Sequence, residues 1–379
     1  MELRRSSLHA LRDFGFGKDA LEDIIEDEVN NLILYIENHW LNQPLDVSQF
    51  FNVAVLASLW RIISGESLKL DDPKLEQILT NLRIAISEGG HPLYNLSLRF
   101  IPLFLFLNRI GVLKTMKAMN EIFDFCSSVI QKHKVKGIDG ENPLTFVEAL
   151  LHKIDQTTDP SKPLHGSVGE TNLLNILIDF FIAGSDTTST TLNWAMLYMI
   201  RNSDVQDKVR EEIQLNIGSR KARMDDRTLT PYTEAVLLEI SRKADIVPFS
   251  IFHCTVEDLK VNEFNVPRDS IIIPSIGGIM KDPIDFPNPE KFDPERFLSQ
   301  NSDGTMKFTP HLKVVPFGIG KRRCLGEVLA RVTLYKFFTS IIQKFQIVSG
   351  QDKPVLDESN GAFIQSPLPY KLKFLKVNE

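Results

Sequence analysis

Apolar residues recur every three or four positions along most of this chain, and that rhythm predicts a succession of helices. Residues 21–40 set Ile24, Ile25, Val29, Leu32, Leu34 and Ile36 at helical spacing, with acidic residues crowding the first turns. The same periodicity predicts helices over 48–63, 73–86, 113–134, 143–154, 170–201, 204–217 and 231–242. The segment 170–201 is the longest of them. Another helical pattern opens at Gly326 and runs on through Val328, Leu329, Val332, Leu334 and Phe337. Strand-like segments are short: 247–253, 259–261, 270–273 and a stretch near the C-terminus. Pro, Asp and Asn cluster between 282 and 294, which predicts a long ordered connection. No internal repeat, low-complexity tract or linker interrupts the pattern. The fold class expected is mainly α with a minor β-sheet, in one large domain over residues 1–379.

Composition changes that picture little. The chain has 379 residues, 43% of them hydrophobic and 24% charged, which is ordinary for a globular protein with a large core. A net charge of −6 argues against a nucleic-acid binder. Cys126, Cys254 and Cys324 are far apart and odd in number, so neither a disulfide framework nor a CxxC zinc pair is expected, and reduced, intracellular surroundings fit best. The opening Met1-Glu-Leu-Arg-Arg carries charges where a signal peptide needs an apolar run. The densest apolar stretch, 100–107, is too short to cross a bilayer and contains Pro102; it reads as a buried helix end and loop, or as a segment that dips into a membrane interface.

The chemistry concentrates near the C-terminal end, in Phe317-Gly-Ile-Gly-Lys-Arg-Arg-Cys324-Leu-Gly326. Gly318 and Gly320 remove the Cβ atoms that would block close approach to the loop and permit positive φ. The amides that open the following helix, with Arg322 and Arg323 alongside, are expected to stabilise negative sulfur and lower the Cys324 pKa. A thiolate presented this way suits an axial bond to haem iron. Two plainer readings stand beside it. A lone cysteine is commonly a small buried hydrophobe. A phosphate loop fails, because Arg322 follows Lys321 where Ser or Thr is needed and Val315 replaces the first glycine.

A second motif, Ala183-Gly-Ser-Asp186-Thr187-Thr188, interrupts an otherwise apolar stretch of the longest helix. Read locally, it is a turn in which Ser185 or Asp186 caps a new helix. Alternatively the helix is kinked there, the Thr187 hydroxyl bonds the Ala183 carbonyl, and Gly184 leaves space over a ligand. An acid beside an alcohol can then relay protons. A third motif, Glu239-Ile-Ser-Arg242, places two opposite charges on one helix face, a pairing that is weak by itself.

Phe317, Gly320, Cys324 and Gly326, with Arg322 between them, resemble the haem-binding signature of the cytochrome P-450 superfamily. The mid-helix motif is similar to that family's oxygen-binding signature, and Glu239, Arg242 and the downstream Arg296 match its buried structural network, in the expected order. Tyr232 to Glu239 also resembles animal microsomal members, arthropod ones particularly. The resemblance implies a haem-thiolate monooxygenase: haem b (iron protoporphyrin IX) held through Cys324, with Asp186 and Thr187 managing protons. It implies propionate partners at Arg322, His253 and Arg4; for His253 a half-buried strand histidine bonded to backbone is the plainer alternative. One oxygen atom of dioxygen would enter a small hydrophobic substrate, with electrons from a flavoprotein reductase.

Apolar residues in 177–183, in 246–251 and around Ala362, Phe363 and Ile364 are the candidates to line a substrate pocket, core packing being the default for each. Lys313, Lys321, Arg322 and Arg323, with Arg4 and Arg5, form either a reductase-docking face or a solvated basic one. The resemblance places the family at the cytoplasmic face of the endoplasmic reticulum membrane. It also implies a chain truncated at its start, without the anchor and first helices. The rival expectation is an inactive remnant that binds only haem or a partner.

Overall fold

The computed structural model describes residues 2–13, 19–89, 109–137, 143–352, 359–360 and 363–377. Its helices follow in the order α1 (Glu2–Asp13), α2 (Asp19–His39), α3 (Phe50–Ser64), α4 (Pro73–Gly89), α5 (Arg109–Lys136) and α6 (Phe146–Gln156). Then come α7 (Gly166–Arg201), α8 (Ser203–Asn216), α9 (Pro231–Ala244), the short α10 (Ile276–Met280) and α11 (Glu327–Lys344). Every helix predicted from periodicity has a counterpart, and the shifted ends have local causes. The helix expected from 143 starts at Phe146, because the Thr145 hydroxyl accepts the Glu148 N–H at 3.2 Å while the Glu148 carboxylate accepts the Leu144 N–H at 2.7 Å. In α2, Leu21, Ile25, Val29, Leu32 and Ile36 form the buried stripe; Leu34 lies on the opposite face and is 55% exposed.

Helix α7 organises the interior because its two ends lie in different apolar cores. Leu173, Leu177, Ile178 and Phe181 pack with Leu59, Trp60, Leu79, Ile122 and Phe146, from α3 to α6. Leu192, Trp194, Met196 and Tyr198 pack instead with α2, α8, α9 and α11. Between those ends, Ser185, Thr188, Ser189, Thr190 and Thr191 are buried, and three of their hydroxyls donate to carbonyls four residues back. Polar side chains are thus tolerated in the middle of the molecule because the helix itself satisfies them. A third, smaller core joins Ala235 and Leu238 of α9 to Met280, Phe286, Phe297 and Val314.

The strands are short: β1 (Leu45–Asp46), β2 (His253–Cys254), β3 (Leu259–Val261), β4 (Phe264–Val266), β5 (Ile271–Ile272) and β6 (Leu298–Gln300), then β7 (Met306–Phe308), β8 (Phe345–Ser349), β9 (Ser359–Asn360), β10 (Ser366–Pro367) and β11 (Lys371–Lys376). One antiparallel sheet, ordered β1-β11-β8, pairs Leu372 with Ser349 and Phe374 with Ile347, and faces the core that contains α11. The other strands form two-stranded pairs.

The strand expected over 247–253 is reduced to its last residue. Pro248 has no N–H to give, Ser250 has φ 52°, and the Ser250 N–H closes a turn onto the Val247 carbonyl. The apolar run 100–107 lies outside the described residues. Replacing Thr145 by alanine removes the cap of α6 and should lower unfolding stability by about 1 kcal/mol, read as a shifted denaturation midpoint with unchanged slope. An unchanged midpoint would show that the cap contributes nothing.

Candidate functional site

The cysteine loop is built by its own backbone. Val315 accepts the Gly318 N–H at 2.9 Å, Gly320 accepts the Arg323 N–H at 3.2 Å, and Phe317 accepts the Cys324 N–H at 2.8 Å. These closures require φ of 71° at both Gly318 and Gly320, a region that favours glycine. A Cβ added at Gly318, Gly320 or Gly326 would meet no atom within 4 Å, so the loop presents bare backbone outward. Gly326 caps α11, and its N–H donates to the Cys324 sulfur.

The electrostatics of that sulfur correct the expectation drawn from the sequence. Although Cys324 is exposed on one side, the protein around it withholds water and pushes its thiol above the ordinary range. The Gly326 N–H opposes the rise, Glu327 adds to it, and Arg4 and Arg323 pull it back. Arg323 acts on the sulfur as predicted and Arg4 joins it, but desolvation outweighs both. Glu327 also takes up cations that the sequence left free. Its carboxylate lies 2.5 Å from the Arg323 Nε and 3.0 Å from the Arg331 Nε, and the Arg331 guanidinium sits 5.0 Å from the centre of the Phe317 ring.

Arg4 reaches the loop from α1 and donates to the Arg323 carbonyl. Arg322 is exposed and has no side-chain partner among the described residues. His253 starts β2 and pairs through its backbone with Ile272, while its side chain is exposed, not half-buried, and has no hydrogen-bond partner among the described residues.

On α7, the mid-helix motif is neither a turn nor a break in helical structure, since the helix continues from Gly166 to Arg201. The Thr187 hydroxyl donates to the Ala183 carbonyl at 2.8 Å. Ala183 is exposed although Phe181 and Ser185 beside it are fully buried, so one face of the helix is open at its centre. Asn175 and Asp179 continue that face at four-residue intervals, and surrounding protein raises the Asp179 carboxyl above its usual range.

Gly184 has a different reason from the one predicted: a Cβ there would lie 2.4 Å from Leu59 Cδ2, so it allows α3 to approach α7. Leu177, Ile178 and Phe181 are core residues, not pocket lining. Among the candidate pocket segments, Phe249 (50%), Ile251 (63%) and Phe363 are exposed, as are Phe252 next to Ile251 and, in the cysteine loop and at the head of α11, Ile319 and Val328. The segment after Phe363 is tied in place because the Gln365 N–H donates to Ile246 at 2.8 Å and the Gln365 carbonyl accepts the Trp194 Nε1–H at 2.9 Å. Ala362 lies outside the described residues.

Sequence reasoning missed Asn52 altogether. Its side chain, buried in α3, donates to Asp186 Oδ1 at 3.2 Å. No local signal marks this contact, which joins residues 134 positions apart.

Behind the loop, Glu239 and Arg242 are fully buried and paired twice, at 2.7 and 2.8 Å. Arg296 adds a third approach at 3.3 Å. The Arg242 guanidinium donates to the carbonyls of Met280 and Pro289, and Glu239 accepts the Asp293 N–H. Three charges that look unremarkable in sequence are therefore fastened to the connection that delivers Val314 and Phe317.

Taken together, these residues fit a flat, largely apolar ring bearing a metal and carboxylates. A loop opened by Gly318, Gly320 and Gly326 offers one sulfur, exposed aliphatic and aromatic side chains offer apolar contact, and Arg4, Arg322 and His253 offer cationic or donor groups.

Comparison with known proteins agrees. Residues 1–374 match the sequence model of the family described as cytochrome P450. The chain is 32% identical over 378 residues to cytochrome P450 2H1 of Gallus gallus, covering 99% of this chain and 74% of that protein. It is 33% identical over 374 residues to cytochrome P450 2D15 of Canis lupus familiaris, covering 98% and 73%. Cytochrome P450 2C44 of Mus musculus is 33% identical over 388 residues, covering 98% and 74%.

Two outcomes follow from the geometry. Glu239→Ala leaves a buried guanidinium without its counter-charge, a loss on the order of 3–5 kcal/mol that should appear as a large fall in the denaturation midpoint. A change under about 1 kcal/mol would remove the network from its supporting role. For the sulfur, alkylation of the haem-free chain at fixed pH should quicken in Glu327→Gln, which removes a carboxylate that raises the thiol pKa. It should slow in Arg4→Gln, which removes a cation that lowers it; the opposite order would contradict this electrostatic reading.

Proposed function

The chain belongs to the cytochrome P450 family and is a haem-dependent monooxygenase, and from that premise we propose how its own residues serve the reaction. Haem, when bound, supplies the dioxygen chemistry by which one oxygen atom enters an organic substrate and the other leaves as water. The observation that carries the assignment is the loop whose Gly318, Gly320 and Gly326 leave open space beside one sulfur at the head of α11. Cys324 is the iron ligand. Surrounding protein raises its thiol pKa in the free chain, so holding iron as thiolate would mean giving up that proton, with the Gly326 N–H, Arg4 and Arg323 placed to favour the sulfur charge. Phe317, Gly320 and Gly326 shape the ring's seat, while Arg322, His253 and Arg4 hold the propionates of haem b (iron protoporphyrin IX). Glu239, Arg242 and Arg296 keep the seat in register from behind.

Across the site, the open face of α7 brings Ala183 and Thr187 to the side where dioxygen and substrate meet. The Thr187 hydroxyl, already bonded to Ala183, passes a proton inward when it exchanges that partner, and Asp186 resupplies it. Phe249, Ile251, Phe252 and Phe363 favour a small hydrophobic substrate. Electrons come from a flavoprotein reductase whose acidic surface meets Lys321, an exposed cation of the loop that the propionates do not claim; Arg323 and Lys313 are already engaged by Glu327 and Asp285. The two cores that share α7 act as one catalytic domain. We place the protein at the cytoplasmic face of the endoplasmic reticulum membrane; among the described residues no helix is long and apolar enough to cross a bilayer.

Cys324→Ser should abolish the strongly red-shifted Soret band of the reduced, carbon-monoxide-treated protein; a band that persists would refute the assignment of the ligand. Thr187→Ala should keep the band but divert consumed electrons from product to peroxide, by about tenfold or more. Lys321→Glu should slow electron delivery most at low salt. A rate that is unchanged at every ionic strength would remove the loop from the docking face.

A further inference from the structure

The amide of Asn52 is 97% removed from solvent, and only half of it is used. Its amide nitrogen donates to Asp186 Oδ1 at 3.2 Å, while the amide oxygen is buried with no hydrogen-bond partner among the described residues. An orphaned amide oxygen in an interior costs stability, and apolar side chains of the same size are available to α3. Its neighbours on that helix show the alternative, since Phe51, Ala54, Val55 and Leu56 are all apolar and buried. A buried polar group with one end unused calls for an account of what the amide faces.

Asp186 is the group it faces. As a carboxylate it accepts a hydrogen bond; as a carboxylic acid it offers one. An asparagine amide has a donor end and an acceptor end, and rotation by half a turn about its last bond exchanges them. In the orientation seen here the donor faces Asp186, which suits the carboxylate. After that rotation the acceptor would face it, which suits the acid. Close contact between α3 and α7, set by Leu59 over Gly184, keeps the two side chains within reach in either orientation. Buried hydrophobic residues on both helices fix the Asn52 backbone.

We propose that Asn52 is the positioning residue for Asp186, aiming its carboxyl group toward Thr187 and partnering it in both protonation states. Asn52 neither gains nor loses a proton: the proton that arrives on an Asp186 oxygen leaves from that carboxyl group. The inference rests on the proton-delivery role given to Asp186 and Thr187 above.

The test uses the haem-loaded full chain and has two readouts. The first is the infrared signature of the Asp186 carboxyl group, assigned by difference from Asp186→Asn. The second is the division of reducing equivalents between product and peroxide. Asn52→Leu, of similar size but without hydrogen-bonding atoms, should shift the Asp186 band and lower the product fraction several-fold, with the thiolate Soret band intact. Asn52→Asp keeps shape and polarity in case the leucine variant does not fold. It puts two carboxyl groups at hydrogen-bond distance, so a protonated-carboxyl band should appear that Asp186→Asn removes, again with product diverted to peroxide.

A merely structural tie between α3 and α7 would lower the denaturation midpoint without moving the band or the division. The proposal is overturned if either folded variant keeps the wild-type Asp186 band and product fraction. It also falls if Asp186→Asn itself leaves the product fraction unchanged, because the role it depends on is then absent. Loss of the red-shifted Soret band in Cys324→Ser alone tests the ligand assignment, so the two failures are distinguishable.

Discussion

The fully buried pair of Glu239 and Arg242 is the contact on which the geometry of the site depends. Two charges removed from water are tolerated only when every remaining donor and acceptor finds a partner. Here the partners are backbone groups of the 280–293 connection: the carbonyls of Met280 and Pro289 and the N–H of Asp293. The pair therefore orders a long stretch that has little regular structure of its own. That stretch places Phe286 and Phe297 in the core that contains Val314, and three residues later the chain reaches Phe317 and the cysteine loop. A loop whose central side chains, Ile319 to Arg322, are exposed gains little position from packing of its own. It is held from behind by charge and from below by α11.

The opposite wall depends on a different compromise. Helix α7 must be apolar where it enters each core, yet its centre carries the polar groups to which we assign proton delivery. The chain resolves this with hydroxyls that bond back to the helix, Thr187 to Ala183 and Thr191 to Thr187, so that polarity is stored without breaking the helix. Gly184 gives up a side chain so that α3 can come close, and that approach brings Asn52 to Asp186. Packing and chemistry are thereby set by neighbouring residues of one turn.

Much of this was legible in the sequence because it is encoded locally. Periodicity located most of the helices, and the glycine spacing before Cys324 marked a backbone that turns through positive φ at Gly318 and Gly320. The order of the motifs brought Glu239, Arg242 and Arg296 to attention, and the structure does bring them together. What was not legible depends on distance in the fold. The sequence could not show that burial outweighs Arg4 and Arg323 at Cys324, because desolvation is a property of the assembled loop. It gave Gly184 a role toward the ligand when its neighbour is Leu59. It read 247–253 as strand from β-rich composition, although Pro248 and Ser250 turn the backbone. Asn52 had no signature, since its meaning is a contact across helices.

The central claim is a bond between one sulfur atom and iron, and X-ray absorption at the iron edge addresses it without passing through activity. In the haem-loaded chain the account predicts one sulfur scatterer bonded directly to iron beside the ring nitrogens. Only nitrogen or oxygen around the metal would contradict it, and with it the roles assigned to the loop, the charge pair behind it and the helix across from it.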